Sequence, residues 1–499
     1  MNTLTRRNFL KTSLLAGAAL SQPARIWAQV TGANNDIRLA VVGFGGRGQS
    51  HINAFSKLPG VRLVGLCDVD EKILQRGVAS LGRKGITVQG YRDVRKLLDA
   101  KDVDVISTAT PNHWHSLITV WACQAGKDVY VEKPVSHNVL EGRRCVEASR
   151  KYDRIVQTGT QSRSKESLRE AFAWLKEGNL GRILIARGLC YKRRASIGKV
   201  DGPQPIPPEI DYDLWCGPAE KLPLMRKRLH YDWHWVWNTG NGDLGNQGIH
   251  EMDIARWALG KPELSPMVFS IGGRLGYIDD GETANTQMVV HNYGDALLIF
   301  EVRGLPSRSV PGATPGKKQS KTDGGGADMA VETMDKYRGQ SIGNVIECEG
   351  GYLAGTTAYD KDNKKIRSFT GKSEDEGGHF GNFIKAVRSR KREELHADIL
   401  EGHLSSALCH TGNISYRLGQ HSSPGELQEA LKQDPAAQET LARMEEHLAA
   451  NGVDIGKTQL TLGPVLRMDP KTEQFLDNPK ANALLTRKYR APFVVPEKV

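Results

Sequence analysis

The sequence has no apolar run able to cross a bilayer. Its nearest approach, residues 14–20, falls far short of the roughly 20 residues a spanning helix needs, so a polytopic membrane protein is excluded. It has no CxxC pair. Cys67, Cys123, Cys145, Cys190, Cys216, Cys348 and Cys409 are odd in number and widely spaced, so neither a zinc site nor a redox dithiol is signalled and no metal is expected. They read as small apolar core residues. It has no block of five like charges. The densest basic run, Arg-Ser-Arg-Lys-Arg at 388–392, reads as a solvated helix end, and no nucleic-acid partner is expected. No internal repeat is present.

What is there suits a soluble globular chain of two to three domains: 499 residues, 39% hydrophobic and 25% charged. The formal charge of +11 comes from 68 basic and 57 acidic residues. Four of the basic residues, Arg6, Arg7, Lys11 and Arg25, lie in the acid-free first 28 positions. Without that segment the balance is 64 against 57, or +7, mild for the length. That excess suits a phosphate-bearing or otherwise anionic small molecule.

The first 28 residues read as an address. Thr5-Arg6-Arg7-Asn8-Phe9-Leu10-Lys11 resembles the twin-arginine export signal, followed by a short apolar stretch and Ala28 as the cleavage edge. The resemblance implies a removable signal peptide over 1–28, the twin-arginine machinery as a partner, and a periplasmic or secreted location reached already folded.

From residue 37 strands and helices alternate. Strands are expected at 38–43, 61–68, 103–108 and 128–132, and helices at 48–57, 117–125 and 139–151, which predicts a parallel, doubly wound α/β domain over 37–159. Then the texture changes. A helix at 168–177 is followed by strand-like runs at 182–191, 267–272, 286–291, 296–302 and 345–349, and helical patterns return at 379–388 and 399–419. This predicts an α+β domain over 160–419 with a mostly antiparallel open sheet. A proline-rich insertion at 198–218 and a Gly/Ser/Lys/Pro-rich insertion at 306–326, expected to be mobile, interrupt it. Residues 420–499 read as a C-terminal extension, one helix near 426–449 and then an extended tail.

Gly43-Phe44-Gly45-Gly46-Arg47-Gly48 fits GxGxxG and sits where that motif has meaning, after a strand and at the start of a helix. Gly43 allows a sharp turn, Gly45 lets a pyrophosphate approach, and Gly48 lets helix and strand pack closely. Gly46 and Arg47 complete the loop, whose N–H groups and helix dipole attract a diphosphate. Asp68, 20 residues past Gly48, is placed to hold a ribose diol and to repel a 2′-phosphate, favouring NAD over NADP. Asp70 is a second candidate for that task, and Arg47 is a counter-signal.

Two further segments end on the same edge of the predicted sheet. Thr110-Pro111-Asn112-His113-Trp114-His115 supplies Thr110, Pro111, Asn112 and His115 as cofactor-side candidates, and Glu132-Lys133-Pro134 supplies Glu132 and Lys133. Together with Gly248-Ile249-His250-Glu251-Met252-Asp253, these motifs resemble those of the Gfo/Idh/MocA family of sugar and inositol oxidoreductases over about 37–419. The resemblance implies a Rossmann domain followed by an α/β domain whose open sheet makes homo-oligomer contacts. It also implies a carbohydrate substrate, Lys133 orienting the substrate hydroxyl and assisting proton transfer, and His250 as acid/base. Many members carry aspartate four residues before that histidine. Here the position is Asn246, which can orient a substrate and cannot take a proton, so the proton falls to His250 or Lys133. Asp243 and Asp253 are nearby carboxylates.

The chemistry of the residues agrees. Oxidising a secondary alcohol takes a hydride acceptor and a base near the hydroxyl, and histidine titrates near neutrality. The aromatic run 229–238 offers Trp235 for a sugar face, while alternating tryptophans also fit a buried strand. Tyr191, with Lys192 and Arg193, is a weaker substrate candidate. An NAD(H)-dependent oxidoreductase acting on a sugar, glycoside or inositol is the expectation. The alternative is a redox-neutral glycoside hydrolase or lyase that retains a tightly bound NAD, a reading kept open by export away from free cofactor.

Overall fold

The computed structural model describes residues 36–307, 334–371 and 377–499; the signal segment 1–28 and most of the 306–326 insertion lie outside the described residues. Short runs with both faces apolar become the strands of a parallel sheet, since such a sheet is covered on both sides by helices. These are β1 (Ile37–Val42), β2 (Val61–Cys67), β3 (Gln89–Tyr91), β4 (Val105–Thr108), β5 (Asp128–Val131) and β6 (Val156–Thr158), in the order β3-β2-β1-β4-β5-β6. All neighbours are parallel. The order reverses between β1 and β4, so the loops after those two strands open a crevice at the carboxyl edge.

The second domain is built on a larger, mostly antiparallel sheet. Its strands are β7 (Ile183–Tyr191), β8 (Met267–Gly273), β9 (Thr286–Asn292), β10 (Leu297–Arg303), β11 (Ile342–Cys348), β12 (Gly351–Ala354), β13 (Thr357–Asp360), β14 (Lys365–Ser368), β15 (Gln420–Ser422), β16 (Leu460–Leu462) and β17 (Leu466–Asp469). The path runs β14-β13-β12-β11-β7-β10-β9-β8-β16-β15, with β17 also on β8. Only β7 with β10 is parallel among these pairs. Helices Glu166–Lys176, Gly248–Leu259 and Ile399–Arg417 cover one face, burying Phe172, Ile249, Met252, Leu404 and Leu408 against Ala186, Val289 and Phe300.

The last 80 residues depart from the expected single helix and tail. Pro435, capped by Asp434, starts a new helix, so Pro424–Leu431 and Pro435–Ala450 form in place of one helix over 426–449. Their apolar faces bury Leu427, Leu431, Leu441, Met444 and Leu448 against Ile271, Met288, Val290 and Ile299. The other face of the sheet is therefore covered in part by the chain itself. Further on, β16 and β17 join the sheet, and Phe493 and Val495 return to the Rossmann core beside Trp114 and Leu117. All seven cysteines are buried and unpaired. No helix among the described residues is long and apolar enough to cross a membrane, and no cluster of His, Cys, Asp and Glu among them suits a metal ion.

Candidate functional site

The glycine loop follows β1 and opens the helix Gly48–Phe55. Gly43 has φ +73°, and a Cβ there would lie 2.8 Å from the main chain of Thr110. A Cβ on Gly48 would lie 2.2 Å from the Gly43 carbonyl oxygen. These two glycines serve the fold. Gly46 is different: a Cβ there meets nothing within 4 Å. At Gly45 it meets only the tip of Ile73. Among the described residues the N–H groups of Gly45, Gly46 and Arg47 have no hydrogen-bond partner, whereas those of Gly43 and Phe44 are taken by Cys67 O and Asp68. Unpaired donors at a helix start beside open space fit a diphosphate.

Asp68 directly follows β2 and accepts from the N–H of Phe44 and of Asp70, both at 3.1 Å. Burial pushes its carboxyl up, against those bonds. Asp70 is occupied otherwise: it caps the helix Glu71–Gly82 by accepting from Ile73 N–H. Arg47 does not lie beside Asp68. Its Nε donates to Glu132 at 2.8 Å, so the loop's one basic side chain is drawn away from the ribose edge.

Glu132 is a buried hub. Besides Arg47 it accepts from His51 Nε2 at 3.0 Å, from Gln161 at 3.2 Å and from the Lys133 N–H at 3.1 Å. Burial opposes its charge, but the His51 hydrogen bond and the positive charges around it hold the carboxyl well below the usual range. A carboxylate only accepts, so Nε2 of His51 carries a proton and donates to Glu132, while Nδ1 is hydrogen-bonded to the Ser107 hydroxyl at 2.8 Å. Glu132 thus fixes the loop geometry and does not face the crevice. Lys133 does: its Nζ reaches across to the second domain and donates to the Asn246 carbonyl at 2.8 Å. Burial pushes the Lys133 amine below its usual range, resisted by Glu132 and aided by Arg47 and Lys192.

The 110–115 segment divides its duties. Thr110 and Pro111 are half-buried at the crevice. Asn112, expected at the cofactor, is buried and donates to Asn241 at 3.0 Å, tying the Rossmann helix to the second domain. His115, expected there too, is 1% exposed, with its ring nitrogens against the carbonyls of Pro134 at 2.6 Å and Thr110 at 2.8 Å. It is a strut between two loops, because both its polar atoms are used inside the protein. His113 and Trp114 hold the main chain of 214–215.

Parity along β7 sorts the second-domain candidates. Ala186 and Cys190 face the helices, while Leu189 and Tyr191 face the opposite side. Tyr191, expected at the substrate, donates instead to Glu301 at 2.7 Å with Arg303 over its ring. The next residue, Lys192, returns to the site face and donates to Gln247 at 3.2 Å. Asp243 is buried in a two-pronged pair with Arg194, and both oxygens of buried Asp253 accept from Nε of Arg163, so neither is placed to take a substrate proton. His250 opens the helix Gly248–Leu259 and makes no ring hydrogen bond within the described residues. Burial, with Lys133 next in weight, pushes it down to about 3, so the expected titration near neutrality does not hold and the ring is neutral.

The aromatic run is no strand. Asp232–Trp235 is a 3-10 turn entered through Tyr231 at φ +65°. Trp235 is buried beneath Arg194, whose guanidinium lies 5.2 Å from its ring centre, and so offers no open face. Its neighbour His234 was not singled out by sequence. Its Nδ1–H donates to Tyr231 O at 2.5 Å, leaving Nε2 as an acceptor, and it stacks on Trp233 with centroids 3.6 Å apart. Burial, then the charge of Lys133, pushes it to about 3.

The proline-rich insertion closes on the ribose end of the crevice. Glu71 N–H donates to Glu209 O at 3.1 Å, and Asp70 bridges Ile210. His230 meets Asp70 at 3.3 Å. Arg490 near the C-terminus holds Asp213 at 2.8 Å.

Comparison with known proteins agrees with this geometry. Residues 37–160 match the Gfo/Idh/MocA model described as an oxidoreductase family with an NAD-binding Rossmann fold, and residues 182–300 match that family's C-terminal alpha/beta domain. A glycosyl hydrolase family 109 protein of Saccharopolyspora erythraea is 30% identical over 269 residues, 49% of this chain and 52% of its own. Myo-inositol 2-dehydrogenase of Thermotoga maritima is 23% identical over 288 residues, 54% of this chain and 74% of its own. The chain spans 52% or less of the length of the first curated relatives it matches. Among solved structures, the WlbA dehydrogenase of Bordetella pertussis, crystallised with NADH and UDP-GlcNAcA, shares the fold at TM-score 0.52 and 20% identity, over 75% of this chain and 94% of its own. Residues 37–160 and 182–300 are thus similar to the two domains of the Gfo/Idh/MocA oxidoreductase family.

Proposed function

We propose that this chain is an NAD(H)-dependent oxidoreductase interconverting a secondary hydroxyl and a ketone on a sugar, glycoside or inositol. One observation carries the reading. The Lys133 amine extends from the carboxyl edge of the Rossmann sheet to the Asn246 carbonyl, in the same buried charge field as His250 and His234 and on the same edge as the glycine loop. The N–H groups of Gly45, Gly46 and Arg47 would hold the diphosphate, Asp68 the adenosine ribose, and Thr110 and Pro111 the edge of the crevice. When bound, NAD supplies the hydride acceptor.

This chain's own residues handle the proton. With one N–H on the Asn246 carbonyl, the lone pair of a neutral Lys133 amine is left to accept the substrate hydroxyl proton. In ketone reduction the ammonium gives it back. His250, neutral, hydrogen-bonds the reacting oxygen without titrating. His234 Nε2 accepts from a second hydroxyl, and the Asn246 amide orients a third. Asp68 standing without the loop's arginine supports NAD rather than NADP. Asp68→Ser is expected to raise affinity for NADP relative to NAD by about tenfold or more, measured by titrating both cofactors, because a like-charge clash is relieved.

A second reading is supported by the insertion over the ribose end and by the similarity to a glycosyl hydrolase family 109 protein. Here NAD stays bound and a glycoside is cleaved without net redox change. We read the chain as exported folded through the twin-arginine route with cofactor loaded, which suits either chemistry. The test is direct. Purified protein is denatured and released nicotinamide counted, then intact protein is offered glucosides, galactosides and inositols. Reduced-nicotinamide absorbance on adding polyol supports the first reading, and glycoside cleavage with no absorbance change supports the second. Protein that carries no NAD and binds none on titration ends both.

A further inference from the structure

Tyr231 opens the turn that carries His234, and its backbone is costly. Its φ and ψ are +65° and −49°, and across it the Asp232 N–H donates to the His230 carbonyl at 2.9 Å, which makes a γ-turn of the rare, strained form. It is the only aromatic residue at positive φ among the described residues. Glycine takes such a conformation freely, and a bulky side chain does not. Packing does not account for the choice, because the side chain is 41% exposed. The surroundings hold it in place: Arg228 grips Asp232 at 2.7 and 3.0 Å, and the Tyr231 carbonyl accepts from His234 Nδ1. Strain maintained under an exposed aromatic ring points to a use for that ring.

Arg194 settles what the Tyr231 hydroxyl can do. A guanidinium only donates, so the Tyr231 oxygen, 3.1 Å from Nη1, accepts, and its O–H is left to donate. It meets no acceptor among the described residues. Arg194 is itself gripped by both oxygens of Asp243, in the helix Gly242–Asn246, and the last carbonyl of that helix holds Lys133 Nζ. Direct contacts thus tie the Tyr231 hydroxyl to the Lys133 side of the crevice.

The ring has a neighbour of complementary kind. It lies 4.8 Å from the His234 ring at a tilt of 55°, and His234 in turn stacks on Trp233. His234 keeps Nε2 as an acceptor, and Tyr231 keeps a donor. Adjoining rings that offer one of each suit a carbohydrate, whose hydroxyls both donate and accept and whose C–H faces lie on aromatic rings. His234 is half-buried and Tyr231 exposed, so the pair runs from the site toward solvent.

We propose that Tyr231 is the outer wall of the substrate site and that the substrate is a glycoside. Its reacting ring lies between Lys133 and His234, and its second ring or aglycone lies against Tyr231 and accepts the hydroxyl proton in a hydrogen bond. The inference rests on Lys133 marking the reacting end, and it narrows the substrate from a sugar, glycoside or inositol to a glycoside.

The test is a binding ratio read without turnover. NAD-loaded protein is titrated calorimetrically with aryl and disaccharide glucosides and galactosides, beside glucose, galactose and myo-inositol. Wild type should bind a two-ring compound about tenfold or more tighter than its one-ring parent. Tyr231→Phe keeps the ring and drops the donor, so the ratio should fall about fivefold, the worth of one hydrogen bond. Tyr231→Gly suits the turn and removes the whole wall, so the ratio should fall to about one while the melting midpoint stays within a few degrees of wild type. Should Tyr231→Gly not fold, Tyr231→Phe carries the test alone. No preference for two rings in wild type, or a preference that survives in both variants, overturns the proposal. A loss of NAD affinity in Tyr231→Phe or Tyr231→Gly overturns it too, because the ring would then lie against the cofactor. A protein that oxidises inositols and shows no two-ring preference loses this proposal and keeps the proposed function. Two-ring binding that depends on Tyr231, with no oxidation or cleavage of any sugar, does the reverse.

Discussion

Lys133→Met is expected to lower turnover by about a thousandfold or more while bound NAD stays at the wild-type count, the size expected for losing a positioned proton acceptor. The side chain is the right one to remove because so little else depends on it. Its Nζ makes one hydrogen bond, to the Asn246 carbonyl, and no ion pair. Glu132 keeps His51, Arg47 and Gln161, so the loop geometry survives. Methionine matches the length and apolar stem of lysine, so the packing loss is small, and the one orphaned carbonyl costs about 1 kcal/mol. Kinetics with a responsive polyol, cofactor stoichiometry and the thermal midpoint separate the outcomes. Full turnover in the variant would remove Lys133 from the chemistry.

The fold was legible where a local rule decides it. Strands buried on both faces and amphipathic helices show their period directly, so the four strands expected in the doubly wound half and the strands β7 to β11 lie within a few residues of expectation, while the three-residue edge strands β3 and β6 were too short to show one. The failures have particular causes. The helix expected over 426–449 was a pattern read across Pro435, which the Asp434 cap turns into a new helix start. Tyr191 was placed at the substrate from its position at a strand end. Its face depends on parity, and parity sends Lys192 to the site instead. The tryptophans at 233, 235 and 237 alternate as in a strand, yet 232–235 is a 3-10 turn, whose side chains repeat every three residues, so the spacing of two did not mark a strand.

The site was half legible for a related reason. A glycine loop, a Glu-Lys-Pro triplet and a His-containing helix start are local strings, each visible without knowledge of the fold. What they touch is not local. His51 reaches Glu132 across 81 positions, and Asn112 finds Asn241 across 129. His115 and Asn112 are spent inside the protein, while His234, hidden among aromatic neighbours, keeps a ring nitrogen free of protein partners. An alternation of polar and apolar letters says which side of an element is buried, and not whether a buried polar atom already has a partner.

The glycine loop permits a test that separates fold from ligand. Gly48→Ala places a methyl 2.2 Å from the Gly43 carbonyl oxygen, backbone against backbone, so the helix Gly48–Phe55 must move off β1. The thermal midpoint should fall by several degrees, as an overpacked core position costing about 1–3 kcal/mol implies, and NAD binding should fail with it. Gly46→Ala is the opposite case. The added methyl meets no protein atom within 4 Å, so the protein alone has no reason to object, and the midpoint should hold or rise slightly. If the space over Gly46 is where the diphosphate lies, the methyl competes with it, and NAD affinity should fall by about a hundredfold, close to 3 kcal/mol. Calorimetric titration with NAD on both variants, beside their melting curves, distinguishes the cases. A Gly46→Ala protein that binds NAD as tightly as wild type would show that the dinucleotide does not cross this turn, and the assignment of Asp68 and of the crevice beyond it would fall with it.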